Sequence, residues 1–205
     1  MTDLLVVTQW LSPAFPLGSF AYSHGLETAI SDGQVRDAGS LEAWLEVILT
    51  SGAGWNDALL LCAARRGEDV VELARAVAGS KERLEETEAQ GAAFATTLAA
   101  LGRQVPAAPL PVALGIAAQG LEVENFDLAA LYLQNFMSNL VQCAVRFVPL
   151  GQSEGQGVLA RLQPSITLTA ARAIEADLAH LGSGTFMSDI SAMRHEAQVA
   201  RVYRT

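Results

Sequence analysis

Helical periodicity in an Ala- and Leu-rich background constrains this chain more than any other feature, because almost no alternating strand pattern competes with it. Leu41, Trp44, Leu45, Ile48 and Leu49 recur at helical spacing behind Ser40, a residue suited to an N-cap. The same spacing predicts helices over 55–65, 69–78 and 81–101, with Gly67, Gly79 and Gly102 as C-terminal stops. Another begins near Pro111 and stops at Gly120. Asn125 caps a long helix that puts Leu128, Leu131, Tyr132 and Phe136 on one face and ends at Pro149 and Gly151. From Gln152 a further helix runs to Leu178, kinked or split at Pro164. Only Val145 to Val148 reads ambiguously.

The expected fold is therefore all-α: a single compact multi-helix domain over 1–181, followed by a flexible C-terminal tail over 182–205. Gly182-Ser183-Gly184 forms the hinge, helical character resumes from Asp189, and a polar, arginine-bearing segment of this kind suits docking better than core. A second departure from the amphipathic pattern lies near the N-terminus, where 12–27 forms a turn-rich aromatic loop entering a helix at Ser19. With 205 residues there is ample chain for a core.

Composition narrows the function. Hydrophobic residues make up 51% of the chain and charged residues only 17%, with mean hydropathy +0.27. An all-α chain of this size then has apolar helix faces left over once its core is filled, to be covered by a second copy and by partners. The net charge of -9 opposes nucleic acid and anionic membrane surfaces. No apolar run reaches the ~20 residues of a membrane span: Ala58 to Ala64 meets Arg65 and Arg66, and Pro109 to Ala118 carries two prolines. Asp3 stands where a secretory signal needs a basic start, so a cytoplasmic location is expected.

A search for chemistry finds little. Gly151-Gln152-Ser153-Glu154-Gly155 matches the G-x-S-x-G elbow of serine hydrolases, and Asp177 or Asp189 with His180 or His195 would complete the order of a triad. That elbow needs a strand before the serine and a parallel sheet around it, neither of which the pattern offers; a glycine-flanked turn between helices is the plainer reading. His24, His180 and His195 lack partners at metal-ligand spacing, so no metal site is assigned. Lys81, the only lysine, is not in a phosphate loop. Cys62 and Cys143 lie in apolar helical stretches and read as small buried hydrophobes. Glu82, Glu85, Glu86 and Glu88 read as a solvated helix face. No active site and no cofactor are expected.

What is left is an interaction protein. Phe15, Phe20 and Tyr22 near one end and Arg201, Tyr203 and Arg204 at the other are residue types that dominate interface hot spots, and they cluster in the two segments outside the amphipathic pattern.

Three blocks, residues 12–27, 139–156 and 188–205, resemble in content and order the signature blocks of the F-type urease accessory proteins. The resemblance covers essentially the whole chain. It implies an all-α homodimer without activity of its own that bridges the D/H-type accessory protein and the G-type accessory GTPase while nickel is delivered to apo-urease. It also implies that Arg194, His195, Glu196, Tyr203 and Arg204 meet the D/H-type partner. Phe20, Tyr22, His24 and Glu27 then engage partners or line the dimer, with Phe15, Gln152 and Arg201 among the contact residues, and Arg194 or Arg204 is a candidate arginine supplied in trans to the GTPase. The sequence departs from the family pattern at Val199, where an aromatic is expected, and at Glu154, where Asp is commoner.

Overall fold

The computed structural model describes residues 2–204, and among them every regular element is helical. The order is α1 (Thr2–Trp10), α2 (Leu26–Ser31), α3 (Ala38–Ser51), α4 (Ala53–Arg65), α5 (Val71–Ala76), α6 (Lys81–Ala100), α7 (Leu110–Ala117), α8 (Asn125–Val145), α9 (Gln152–Glu175) and α10 (Phe186–His195). Short 3-10 turns stand at Ser19–Ala21 and Leu178–His180.

α4 is the centre of the bundle. Every residue from Gly54 to Ala64 is buried, the pattern of a helix covered on all sides. α7 crosses it closely at Gly115, where an added Cβ would lie 2.5 Å from the Leu61 carbonyl oxygen. α3, α8 and α9 pack around the remainder, and the buried residues form one continuous core. The stretch Ala38–Arg65 is long and apolar enough by composition to cross a membrane, yet 78% of its most apolar window is buried inside the fold. It is also broken at Gly52, against which Thr185 packs too tightly for a Cβ.

Several boundaries differ from the sequence reading for local reasons. The N-cap of α3 is Asp37, whose carboxylate accepts from the Ser40 amide at 2.8 Å; Ser40 is the third residue of a capping box rather than the cap. Asn125 opens α8 instead of capping it. Pro164 lies inside an uninterrupted α9. α10 ends at His195, and 196–204 continues as turns and bends rather than helix. α1 is absent from the sequence reading; Val7 and Trp10 bury its inner side, and Trp10 meets Phe94 edge-on at 5.6 Å.

Candidate functional site

Residues 12–27 are irregular because their backbone is left-handed at three places: Gly18 (φ 74°), His24 (φ 54°) and Gly25 (φ 73°). Gly25 is doubly required. A Cβ there would fall 2.5 Å from the Ala192 amide nitrogen and 2.9 Å from the Ser191 carbonyl carbon. The backbone of α10 therefore lies directly on Gly25, and Ser188 Oγ donates to the His24 carbonyl at 3.4 Å.

This contact begins a seam that runs to the end of the described chain. Glu27, in the first turn of α2, accepts from the backbone amides of Val202 (2.9 Å) and Tyr203 (2.9 Å). His195, completely buried, places Nδ1 2.9 Å from Glu82 and Nε2 3.2 Å from Glu27. Arg201 donates to the other Glu82 oxygen at 2.7 Å. Both ring nitrogens of His195 thus face carboxylates, and the Arg201 guanidinium meets the same Glu82, so the two buried acids are each hydrogen-bonded within the chain, the condition for burying them. Burial alone would push the Glu27 carboxyl up, but the Tyr203 and Val202 amides and His195 hold it below its ordinary 4.5. Arg204 closes the seam through its amide on the Ala21 carbonyl at 2.6 Å.

All three unusual blocks meet here. Tyr203 Oη donates to the Cys143 carbonyl at 3.3 Å, the Cys143 thiol faces the Tyr22 carbonyl at 3.2 Å, and the rings of Phe147 and Tyr203 are 5.3 Å apart. Burial pushes the Cys143 and Cys62 thiols up to about 11, so neither is a ready nucleophile.

α6 carries a second buried network from the same helix. Arg83 donates to Asp57 at 2.7 Å and lies 3.6 Å from Glu86. Asp57 also accepts from Tyr132 at 2.7 Å, and Glu86 binds His24 at 3.0 Å and Gln90 at 2.8 Å. Burial would lower the Arg83 guanidinium, but Asp57 and Glu86 hold its proton on. Here the sequence reading is corrected: Glu82 and Glu86 are 4% exposed and form buried networks, so they are not part of a solvated face. Glu85, between them in sequence, remains exposed.

The residues singled out as contacts divide into two sets. Phe15, Tyr22, His24, Glu27, His195 and Tyr203 are buried within the chain. In this conformation five of them hold the seam or its support, while Phe15 packs beside Phe94 in the core. Phe20, Gln152, Arg194, Glu196, Arg201 and Arg204 are exposed. Arg194 pairs with Asp32, and Glu196 accepts from the Lys81 amide at 3.2 Å. The hinge is tied as well: the amides of Gly182 and Gly184 donate to Asn56 Oδ1 (3.0 Å) and the Ser51 carbonyl (2.7 Å). Sequence reasoning misses Glu82, Gly25 and Asn56 as parts of the seat. Gly25 sits inside the first block, so its signal is present; Glu82 and Asn56 carry none without the fold.

Ser153 lies in the first turn of α9, with Gly151 as N-cap and Glu154 accepting from the Gly151 amide at 3.2 Å. No strand precedes it among the described residues, so the elbow geometry of a hydrolase is not formed. Among the described residues no group of three or more His, Cys, Asp or Glu side chains is placed to hold a metal ion.

Comparison with known proteins adds two findings. The UreF family model matches residues 35–163. Proteins described as urease accessory protein UreF are similar along nearly the whole chain: one from Cereibacter sphaeroides (strain KD131 / KCTC 12085) is 56% identical, covering 98% of each chain. One from Jannaschia sp. (strain CCS1) is 48% identical over 98% of this chain and 94% of its own. A UreF 1 from Brucella canis is 45% identical over 100% and 95%.

Proposed function

The chain belongs to the UreF family of urease accessory proteins, and from that membership we propose that it is a scaffold without catalysis of its own in assembly of the urease nickel centre. The observation that carries this reading is the end-to-end match, which includes the three blocks that build the seam. It works in the cytoplasm as a homodimer, and nickel is its partners' cargo rather than its cofactor.

The seated C-terminal segment presents its outer side to the D/H-type accessory protein. Arg194, Glu196, Arg201 and Arg204 are exposed there, and three of the four are arginines on a chain of net charge -9. A basic strip on an acidic molecule orients a charged partner and speeds its encounter. Phe20 and Gln152 belong to the same partner-facing set. The buried members of the set, Tyr22, His24, Glu27, His195 and Tyr203, act by holding that strip in place, while Phe15 acts through the core beneath the first block. The G-type GTPase supplies the phosphate loop that this sequence lacks and joins the same assembly, through which the scaffold reaches apo-urease. Of the two arginines considered for action in trans, Arg204 is the better suited, because Arg194 is already paired with Asp32.

Co-purification from cells expressing the urease operon tests the reading. A tagged full chain is expected to bring down the D/H-type protein and the GTPase, and Ser153→Ala is expected to support urease activation fully. Activation lost with Ser153→Ala, in a variant that still folds, would favour the hydrolase reading instead.

A further inference from the structure

The sulfur-bearing side chains of the described residues fall into two groups. Met137, Cys62 and Cys143 are 0, 2 and 3% exposed, whereas Met187 and Met193 are 54 and 52% exposed. Burial also pushes both thiols up to about 11, away from the thiolate form that oxidants attack. Among the described residues, oxidisable sulfur open to solvent is therefore confined to the two methionines of α10. A thioether needs no deprotonation before it reacts, because its nucleophile is a lone pair on neutral sulfur.

Both methionines belong to the outward side of α10. Ser191, Ala192 and His195 are buried against the body, while Phe186, Met187, Ile190 and Met193 are exposed at a spacing that makes one apolar stripe. Arg194, next to the stripe, is exposed and begins the arginine-bearing strip assigned above to the D/H-type partner. An apolar centre of Phe and Met beside an arginine rim is the make-up of a protein interface. The inner side of the helix is held by Gly25 and the Glu27–His195–Glu82 contacts, so a change of polarity on the outer side alters the face without unseating the helix.

We propose that Met187 and Met193 form a reversible oxidation site that weakens docking of the partner. The proposal rests on the partner-facing reading of the C-terminal segment. With hydrogen peroxide as the oxidant, the sulfur lone pair attacks one peroxide oxygen, an S–O bond forms, the O–O bond breaks, and the second oxygen leaves as water carrying the first one's proton. Sulfur loses two electrons and the peroxide gains them. The sulfoxide is polar where the thioether is apolar, so docking then buries a polar oxygen with no donor set opposite it. Methionine sulfoxide reductase reverses the step, removing the oxygen as water while two thiols become a disulfide.

The test treats the full chain with hydrogen peroxide, removes the peroxide by buffer exchange and weighs the peptides. One added oxygen is expected on each of Met187 and Met193, with Met137 unmodified. The oxidised chain is expected to keep its helical circular dichroism and to bind the D/H-type accessory protein about tenfold or more weakly. Reductase with dithiothreitol is expected to restore the binding. A chain carrying Met187→Leu and Met193→Leu, substitutions of similar volume, is expected to bind equally before and after peroxide. Peroxide that spares both α10 methionines, binding unchanged by their oxidation, or a loss that the reductase does not reverse or that the double variant also shows overturns the proposal. An untreated chain that binds no D/H-type protein overturns the partner-facing reading itself, and the proposal with it.

Discussion

Gly25 and Glu27, two residues apart, show how a short block can encode a docking seat. Gly25 is left-handed and lies under the α10 backbone, so Gly25→Ala carries a conformational cost of about 1 kcal/mol or more besides the clash with Ala192. We expect this variant to stay folded while the Val202 and Tyr203 amides lose hydrogen-exchange protection; unchanged protection would remove Gly25 from the seat. Glu27 makes the seat pH-dependent on the acid side. Its carboxyl sits below 4.5 when the segment is docked, so its contribution is fully present above that value and is lost as pH falls through the lowered one. Exchange at Val202 and Tyr203 is accordingly expected to accelerate in acid, and Glu27→Gln is expected to remove that acid dependence. The sequence marks Tyr203 by residue type, and the family resemblance marks Glu27 and His195, but all three are turned outward there, because neither signal carries a sign for inside or outside. Glu82 reads as solvated for a related reason: a carboxylate is buried only when its partners are near, and His195 and Arg201 are more than a hundred positions away in sequence.

Among the elements, those with strong periodicity are legible in the sequence and those set by a single contact are not. Leu41, Leu45, Ile48 and Leu49 are buried where their spacing places them, and α8 buries Leu128, Tyr132 and Phe136 in the same way. α4 carries little amphipathic signal because it is covered all round, yet its length and apolar content identify it. α1 is short and not strongly amphipathic; its position depends on Trp10 meeting Phe94 and on Asp3 accepting from the Glu122 amide at 2.7 Å, contacts invisible to periodicity. Since α4 is the hub, its truncation is the element-scale test. Leu61, fully buried, should cost about 2–5 kcal/mol when changed to Ala, read as a lower urea midpoint with an unchanged slope. A loss under about 1 kcal/mol would mean that α4 repacks freely and is not the hub.

For the whole molecule, the apolar excess in the composition resolves into two parts. Most of it fills one continuous core around α4, and the exposed remainder includes Phe186, Met187, Ile190 and Met193 on α10. The acidic balance does not extend evenly to the C-terminal segment, where exposed arginines stand on a seat made of buried acids. One segment thus brings together these apolar side chains, the basic strip and the buried anchor, and the scaffold reading depends on it. The most direct measurement is urease activation in cells whose own F-type gene is removed, complemented with the full chain or with a chain ending after Gly184. The full chain is expected to restore activity, and the shortened chain, shown by circular dichroism to keep its helical bundle, is expected to restore none. Full activity from the shortened chain would contradict the account.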